Sequence, residues 1–222
     1  MNVQYEFRFE DGRRIRFRVT DQPRVPETSL PAWTRLEHCQ CSNCPLTTEQ
    51  ASYCPAAVEI LPVVEAFRAE DAYQKVGVRV ADERRQYGKQ TTLEEALRAL
   101  LGLKMATSGC PVLGELKSMA VHHLPFASSD EFIMRTVSHY LLEQYFAKRN
   151  HQEPDWELKG LVARNQRLQL VNQALWQRIH AVCQGDSNLK ALLNFFSMAS
   201  SVSFSLEAQL RKLEARMKGE GA

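Results

Sequence analysis

Near the start of the chain Tyr5, Phe7 and Phe9 alternate with Glu6, Arg8 and Glu10. After Asp11-Gly12 the alternation resumes, with Ile15, Phe17 and Val19 against Arg14, Arg16 and Arg18. A period of two places the two sets on opposite faces of a strand, and an Asp-Gly pair supplies the positive φ of a tight turn, so this stretch predicts a β-hairpin. Pro23, Pro26 and Pro31 then interrupt regular structure and deliver the chain to a cysteine-rich segment beginning at Cys39. Val76, Val78 and Val80 alternate again within residues 73–80 and predict one more strand, which joins the hairpin in a small antiparallel sheet with one buried face.

From Thr92 onward the apolar period becomes helical. Thr92 and Glu95 have capping-box spacing, and helices are predicted over 92–105, 111–121, 129–149, 154–184 and 187–218. Pro111 and Pro154 suit first-turn positions, and Gly185 suits a helix terminus. In the last helix Leu192, Phe195, Ala199, Val202, Leu206, Leu210, Leu213 and Met217 form one apolar stripe, which serves either core packing or the seam of a homodimer through residues 187–218. The expected fold is α+β: a small N-terminal antiparallel sheet, hairpin plus one strand, followed by a mainly helical bundle. Residues 1–90 and 91–222 form its two parts, or one integrated domain.

Composition bounds the function. At 222 residues, 44% hydrophobic and 24% charged, the chain can build a conventional core without disulfide staples. A formal charge of +2 lacks the excess of a general polyanion binder, so no nucleic-acid partner is expected. No basic, then apolar, leader opens the sequence and no apolar run reaches bilayer length; a cytoplasmic protein without membrane contact is expected. Thiols stay reduced in that compartment, so six cysteines read as metal ligands, redox-active thiols or small buried side chains.

The densest chemistry is His38-Cys39-Gln40-Cys41-Ser42-Asn43-Cys44-Pro45, followed by Cys54-Pro55 and, much later, Cys110-Pro111. Thiolates at Cys41, Cys44, Cys54 and Cys110 would complete a tetrahedral site for zinc or hold an iron–sulfur cluster, because soft anionic sulfur suits both and a Cys-x-x-Cys pair puts two sulfurs on one turn. Cys39, His38 and His123 are reserve ligands. Cys54 and Cys110 each precede a proline and an apolar-periodic run, which places them at helix N-caps, where free amides and the helix dipole would lower a thiol pKa.

Two other readings compete with the metal site. In one, a metal-free thiol–disulfide oxidoreductase or peroxidase attacks with Cys110 or Cys54 and resolves with Cys41 and Cys44. A resemblance to helical alkylhydroperoxidase-type proteins stops at Thr48, which stands where their pattern has a histidine. In the other, the protein is a helical dimerisation module without chemistry. No Gly-x-Gly-x-x-Gly, phosphate-binding loop or Gly-x-Ser-x-Gly elbow occurs.

Much of the chain resembles an uncharacterised bacterial protein family of undescribed function. The likeness is carried by Cys41-Ser42-Asn43-Cys44-Pro45-Leu46, Tyr53-Cys54-Pro55-Ala56, Ser108-Gly109-Cys110-Pro111 and His123-Leu124-Pro125-Phe126. The resemblance implies neither a reaction nor a substrate. It also implies a histidine in relatives at the Cys39 position, a type that binds the same ions.

Overall fold

A computed structural model describes residues 1–24 and 29–219, and within its last helix the side chains of 192–205 are not described. The hairpin forms as expected: β1 (Asn2–Phe9) and β2 (Arg14–Thr20) pair antiparallel with Phe7 opposite Ile15 and Tyr5 opposite Phe17. Gly12 takes φ 87°, the left-handed conformation its turn requires. Pro26 of the proline-rich stretch lies outside the described residues.

The third strand, β3 (Lys75–Ala81), pairs with β1, and a fourth, β4 (Gln86–Thr92), pairs with β3; the sheet order is β2-β1-β3-β4, antiparallel throughout. Strand β4 is an addition to the sequence expectation. On the sheet's inner face Val3, Tyr5, Phe7, Val19, Val76, Val78 and Val80 are buried.

Helix α1 (Pro55–Phe67) starts at its N-cap Cys54 with Pro55 in the first turn and buries Val58, Ile60, Leu61, Val63, Val64 and Phe67. The Phe67 ring lies 5.1 Å from Phe7, 5.7 Å from Phe17 and 6.3 Å from Phe9. Helix α2 (Leu93–Ala106) follows directly from β4, with the Thr92 hydroxyl accepting from the Glu95 amide. It sets Leu93, Leu97, Leu100, Leu101 and Met105 into the same core. Between these helices the buried Lys104 ammonium donates to Glu59 Oε1 at 2.6 Å, and Glu59 Oε2 accepts the Arg24 amide.

The segment expected to be one helix over 111–121 is instead a 3-10 turn, Leu113–Leu116, followed by the single-turn α3 (Lys117–Ala120). A glycine at 114 inside so short a run removes the propensity that would carry a regular helix through it. Helix α4 (Ser129–Arg149) matches its expected limits and opens with a complete capping box between Ser128 and Glu131. Helix α5 runs Lys159–His180, starting later and ending earlier than the expected 154–184. Pro154 lies ahead of it because Asp155 makes a turn of its own, accepting the Gly160 amide and the Tyr140 hydroxyl. Helix α6 spans Ser187–Met217. The expected α+β class is observed. No helix among the described residues is long and apolar enough to cross a membrane.

The chain divides into two compact units. One comprises Met1–Phe126 with Leu170–Phe195; the other comprises Ala127–Gln169 with Phe196–Ala222. The core of the second is Ile133, Val137, Tyr140, Leu158 and Leu161, against which Leu206, Leu210 and Leu213 of the α6 stripe pack. Asp130 there accepts from Lys212 at 2.9 Å and from Arg216 at 2.5 Å. Of the same stripe, Leu192, Phe195, Ala199 and Val202 lie outside the residues with described side chains.

Gly185 does not terminate a helix. It lies in the link before α6, where its amide and that of Gln184 both donate to the Arg68 carbonyl, and a Cβ at 185 would come within 2.4 Å of the Glu70 carbonyl oxygen. Because the obstacle is the backbone of Ala69 and Glu70, Gly185→Ala must displace the turn that follows α1; urea unfolding should show a loss of about 1–3 kcal/mol, the usual cost of overpacking. A loss under 0.5 kcal/mol would show that this link is not held against the turn at Ala69 and Glu70.

Candidate functional site

Two places concentrate polar chemistry. The first is the cysteine-rich loop. Its ends are tied together where the Cys54 amide donates to the Thr34 carbonyl, the Leu36 amide to the Ser52 carbonyl, and Arg35 bridges Tyr53 in antiparallel register. Arg178 of α5, fully buried, reaches this junction and donates to the carbonyls of Trp33, Arg35 and Leu36 at 2.6–3.0 Å. Within the loop Cys41 and Cys44 share one turn, the Cys44 amide donating to the Cys41 carbonyl at 3.0 Å.

Cys54 is buried at the N-cap of α1, as expected. Cys110 is buried ahead of the 3-10 turn, so it caps no regular helix. Gly109 before it takes φ 79° with Pro23 side-chain atoms 3.1 Å from where a Cβ would lie, and the Cys110 amide donates to the Ser108 hydroxyl. The expected lowering of the Cys110 thiol pKa is corrected. Burial pushes the Cys41 thiol up to about 12, the nearby Cys54, Cys110 and Cys44 adding to the rise and the Arg178 charge opposing it. Burial also raises Cys110, more than the amides of Leu113 and Val112 lower it. Desolvation of the thiolate outweighs the dipoles.

The four-cysteine metal centre is corrected as well. Cys41, Cys44, Cys54 and Cys110 come near enough to feel one another's charge. Yet among the described residues no group of three or more His, Cys, Asp or Glu side chains has an arrangement that could hold a metal ion. Zinc or iron–sulfur ligation by this set is therefore not the function the fold supports. The reserve ligands are placed elsewhere in the local structure: Cys39 is exposed at φ 47°, and His38 uses its amide on the Arg35 carbonyl. The His123 Nε2 lies 2.5 Å from the hydroxyl of Tyr5, whose complete burial keeps the phenol protonated. Cys183 lies beyond the end of α5, partly buried, beside Asn188.

The second place is the outer face of the sheet. The register puts Arg14, Arg16 and Arg18 of β2 beside Arg8, Glu6 and Gln4 of β1, which in turn face Gly77, Arg79 and Ala81 of β3. Lys75 extends the β3 row, and Gln90, Gly88 and Gln86 of β4 complete the face. Every arginine named is exposed. Glu6 is the one carboxylate on it; hydrogen bonds from Arg8 and then Arg16 hold it ionised, its pKa lowered to about 2. Arg18 donates to Asn2 and Arg79 to Gln86, each through one edge of the guanidinium. Two depressions meet at Arg79: a trough of about 500 Å³ along Arg8, Gly77, Gly88 and Gln90, and a smaller one along Gln4, Arg16 and Arg18.

The hairpin alternation already marked these arginines as one face. Arg79 and Lys75 join them only through the pairing of β3 with β1, which is not a local property of the chain.

Taken together, these features define an α+β protein with one helical layer on its sheet, a thiol-bearing loop tied to α5, and a cationic open face. The chain belongs to the family described as Domain of unknown function (DUF6901), whose model matches residues 3–218. No curated protein and no solved structure matches it.

Raised thiol pKa values have a reactivity consequence. At pH 8 iodoacetamide should label exposed Cys39 first, and Cys41 roughly a thousandfold slower than an ordinary exposed thiol, because only thiolate reacts. Equal rates, read by peptide mass spectrometry, would refute the buried protonated thiol. A native pKa above the unfolded one stabilises the fold fully below the ordinary thiol value of about 8.5 and is lost as pH climbs through the native value. The urea midpoint should accordingly fall between about pH 9 and 11, and Cys41→Ser should reduce that fall.

Proposed function

We propose that this protein is a binding module that holds an anionic macromolecular partner against the open face of its sheet. The observation that carries this reading is the concentration of Arg8, Arg14, Arg16, Arg18, Lys75 and Arg79 on one face of a chain whose formal charge is only +2. Glu6 is the single opposing charge, and two of those arginines already share it.

Charges of one sign on a surface repel one another, and a sheet needs none of them for its core, which lies on the opposite face. Such a face suits a partner that supplies the missing negative charge. The extent of the surface, four strands wide, favours a macromolecule over a small anion. The shallow trough beside Gly88 is open, with no atom near the position a Cβ would take. Guanidinium groups carry planar forks of donors, and each of Arg18 and Arg79 has committed one edge to a neighbouring amide, which orients the rest outward.

The test is a charge reversal on the edge strand. Arg14→Glu and Arg18→Glu, combined with Arg16→Gln so that no carboxylate is set opposite Glu6, leave the inner face untouched, so circular dichroism and melting temperature should stay near those of the parent protein. Binding to a panel of immobilised polyanions (an oligonucleotide, polyglutamate and phosphatidylserine vesicles) should fall at least tenfold for whichever probe the parent protein retains. Failure of the parent to bind any of the three at 50 mM salt, or equal retention of the folded variant, would overturn the proposal.

A further inference from the structure

We infer that the anion taken by this face is the phosphodiester backbone of a nucleic acid, read without base preference; this rests on the binding role proposed for the sheet and names its ligand. The expectation of no nucleic-acid partner came from the summed charge of +2, and a sum is silent about how charge is distributed over faces.

The composition of the face chooses between anionic partners. Stable protein interfaces centre on desolvated aromatic or aliphatic anchors and are depleted of charge at their core. Here the outer positions of the strands are Arg, Lys, Gln, Asn, Thr and Gly around Glu6, with Ala81 the largest apolar side chain among them. An acidic protein would find charge to meet but nothing apolar to bury. Nucleic acid does not need such anchors, because its affinity comes from release of condensed counterions as cations neutralise phosphates.

The relief of the face argues in the same direction. A bilayer presents a broad plane, whereas this face carries a trough of about 500 Å³ lined by Arg8, Gly77, Arg79, Gly88 and Gln90, which widens beside Gly88, where no side chain projects. A phosphodiester chain can enter it, with Arg8 and Arg79 at its walls. Along β2, Arg14, Arg16 and Arg18 recur every second residue, a spacing of roughly 6.8 Å set by the strand rise, and form a second cationic row two strands away from β3. The amides of Gln4, Gln86 and Gln90 offer hydrogen bonds to phosphate and sugar oxygens, the contacts that position a nucleic acid without specifying its sequence. No aromatic side chain occupies an outer position of the sheet, so no base-stacking platform exists there and discrimination among bases is not expected.

The experiment uses the full chain with fluorescein-labelled 20-nucleotide U and A strands and a duplex RNA of the same length, followed by anisotropy between 50 and 200 mM salt. With Arg8 and Arg16 partly engaged by Glu6, about four phosphates should be neutralised, which gives a slope of log K against log salt near −3 for the single strands and an affinity loss of about fiftyfold over that range. U and A strands should bind within threefold of each other. Arg18→Gln with Arg79→Gln should reduce the slope to about half. Gly88→Val, which fills the trough without changing charge, should weaken binding several-fold with the fold intact. A single strand and a duplex share the same phosphodiester chemistry, and the tighter of the two identifies the source; tight binding of either supports the inference.

Retention of polyglutamate or phosphatidylserine vesicles with no oligonucleotide binding would overturn this inference and leave the anion-binding role standing. So would a tenfold preference for U over A or the reverse. Loss of every probe would overturn both.

Discussion

The packing of one ring organises this molecule. Phe67, at the end of α1, meets Phe7, Phe9 and Phe17 from the two strands of the hairpin, and all four lie on the side of the sheet that the helices cover. Because successive residues of a strand point to opposite faces, fixing Phe7 and Phe17 inward fixes Glu6, Arg8, Arg16 and Arg18 outward. A slip of one residue in either strand would drive guanidinium groups into the aromatic cluster, so the register of the hairpin and the placement of its charges are one decision. The outer face is thus a direct consequence of the inner one.

The cysteine-rich loop depends on a different contact. Arg178 carries its charge into the interior with three backbone carbonyls as partners and, among the described residues, no carboxylate. Carbonyl dipoles converging on a guanidinium give it hydrogen bonds without neutralising it, and its field therefore reaches the Cys41 thiol. Burial still dominates that thiol. The loop is held by backbone groups on residues 33–36, which leaves the sequence between them and Cys54 comparatively unconstrained by this anchor.

Much of the fold was readable along the chain, and the exceptions have physical causes. The hairpin, β3, α4 and α6 follow from apolar period, turn chemistry and caps, all of which are local. Strand β4 carries Gln86, Tyr87, Gly88, Lys89, Gln90 and Thr91, with almost no apolar alternation; its hydrogen bonds to β3 make it a strand, and pairing is not a local property. Pro154 carries the local signature of a helix start, but Asp155 accepts the Gly160 amide and closes a turn ahead of α5. At the thiols, residue types and spacing are legible, whereas the desolvation that raises Cys41 and Cys110 depends on how deeply the fold covers each. The arginine rows were visible too, but only the strand order collects them on one surface.

The pair formed by Glu59 and Lys104 joins α1 to α2 through two opposite charges, both almost wholly withdrawn from water. Replacing either alone would strand its partner in a medium that solvates ions poorly. Drift at these two positions is therefore closed to single steps: descendants of this sequence should exchange both residues together, or keep both, and the two columns should covary across any set of diverged relatives even though forty-odd residues separate them in the chain.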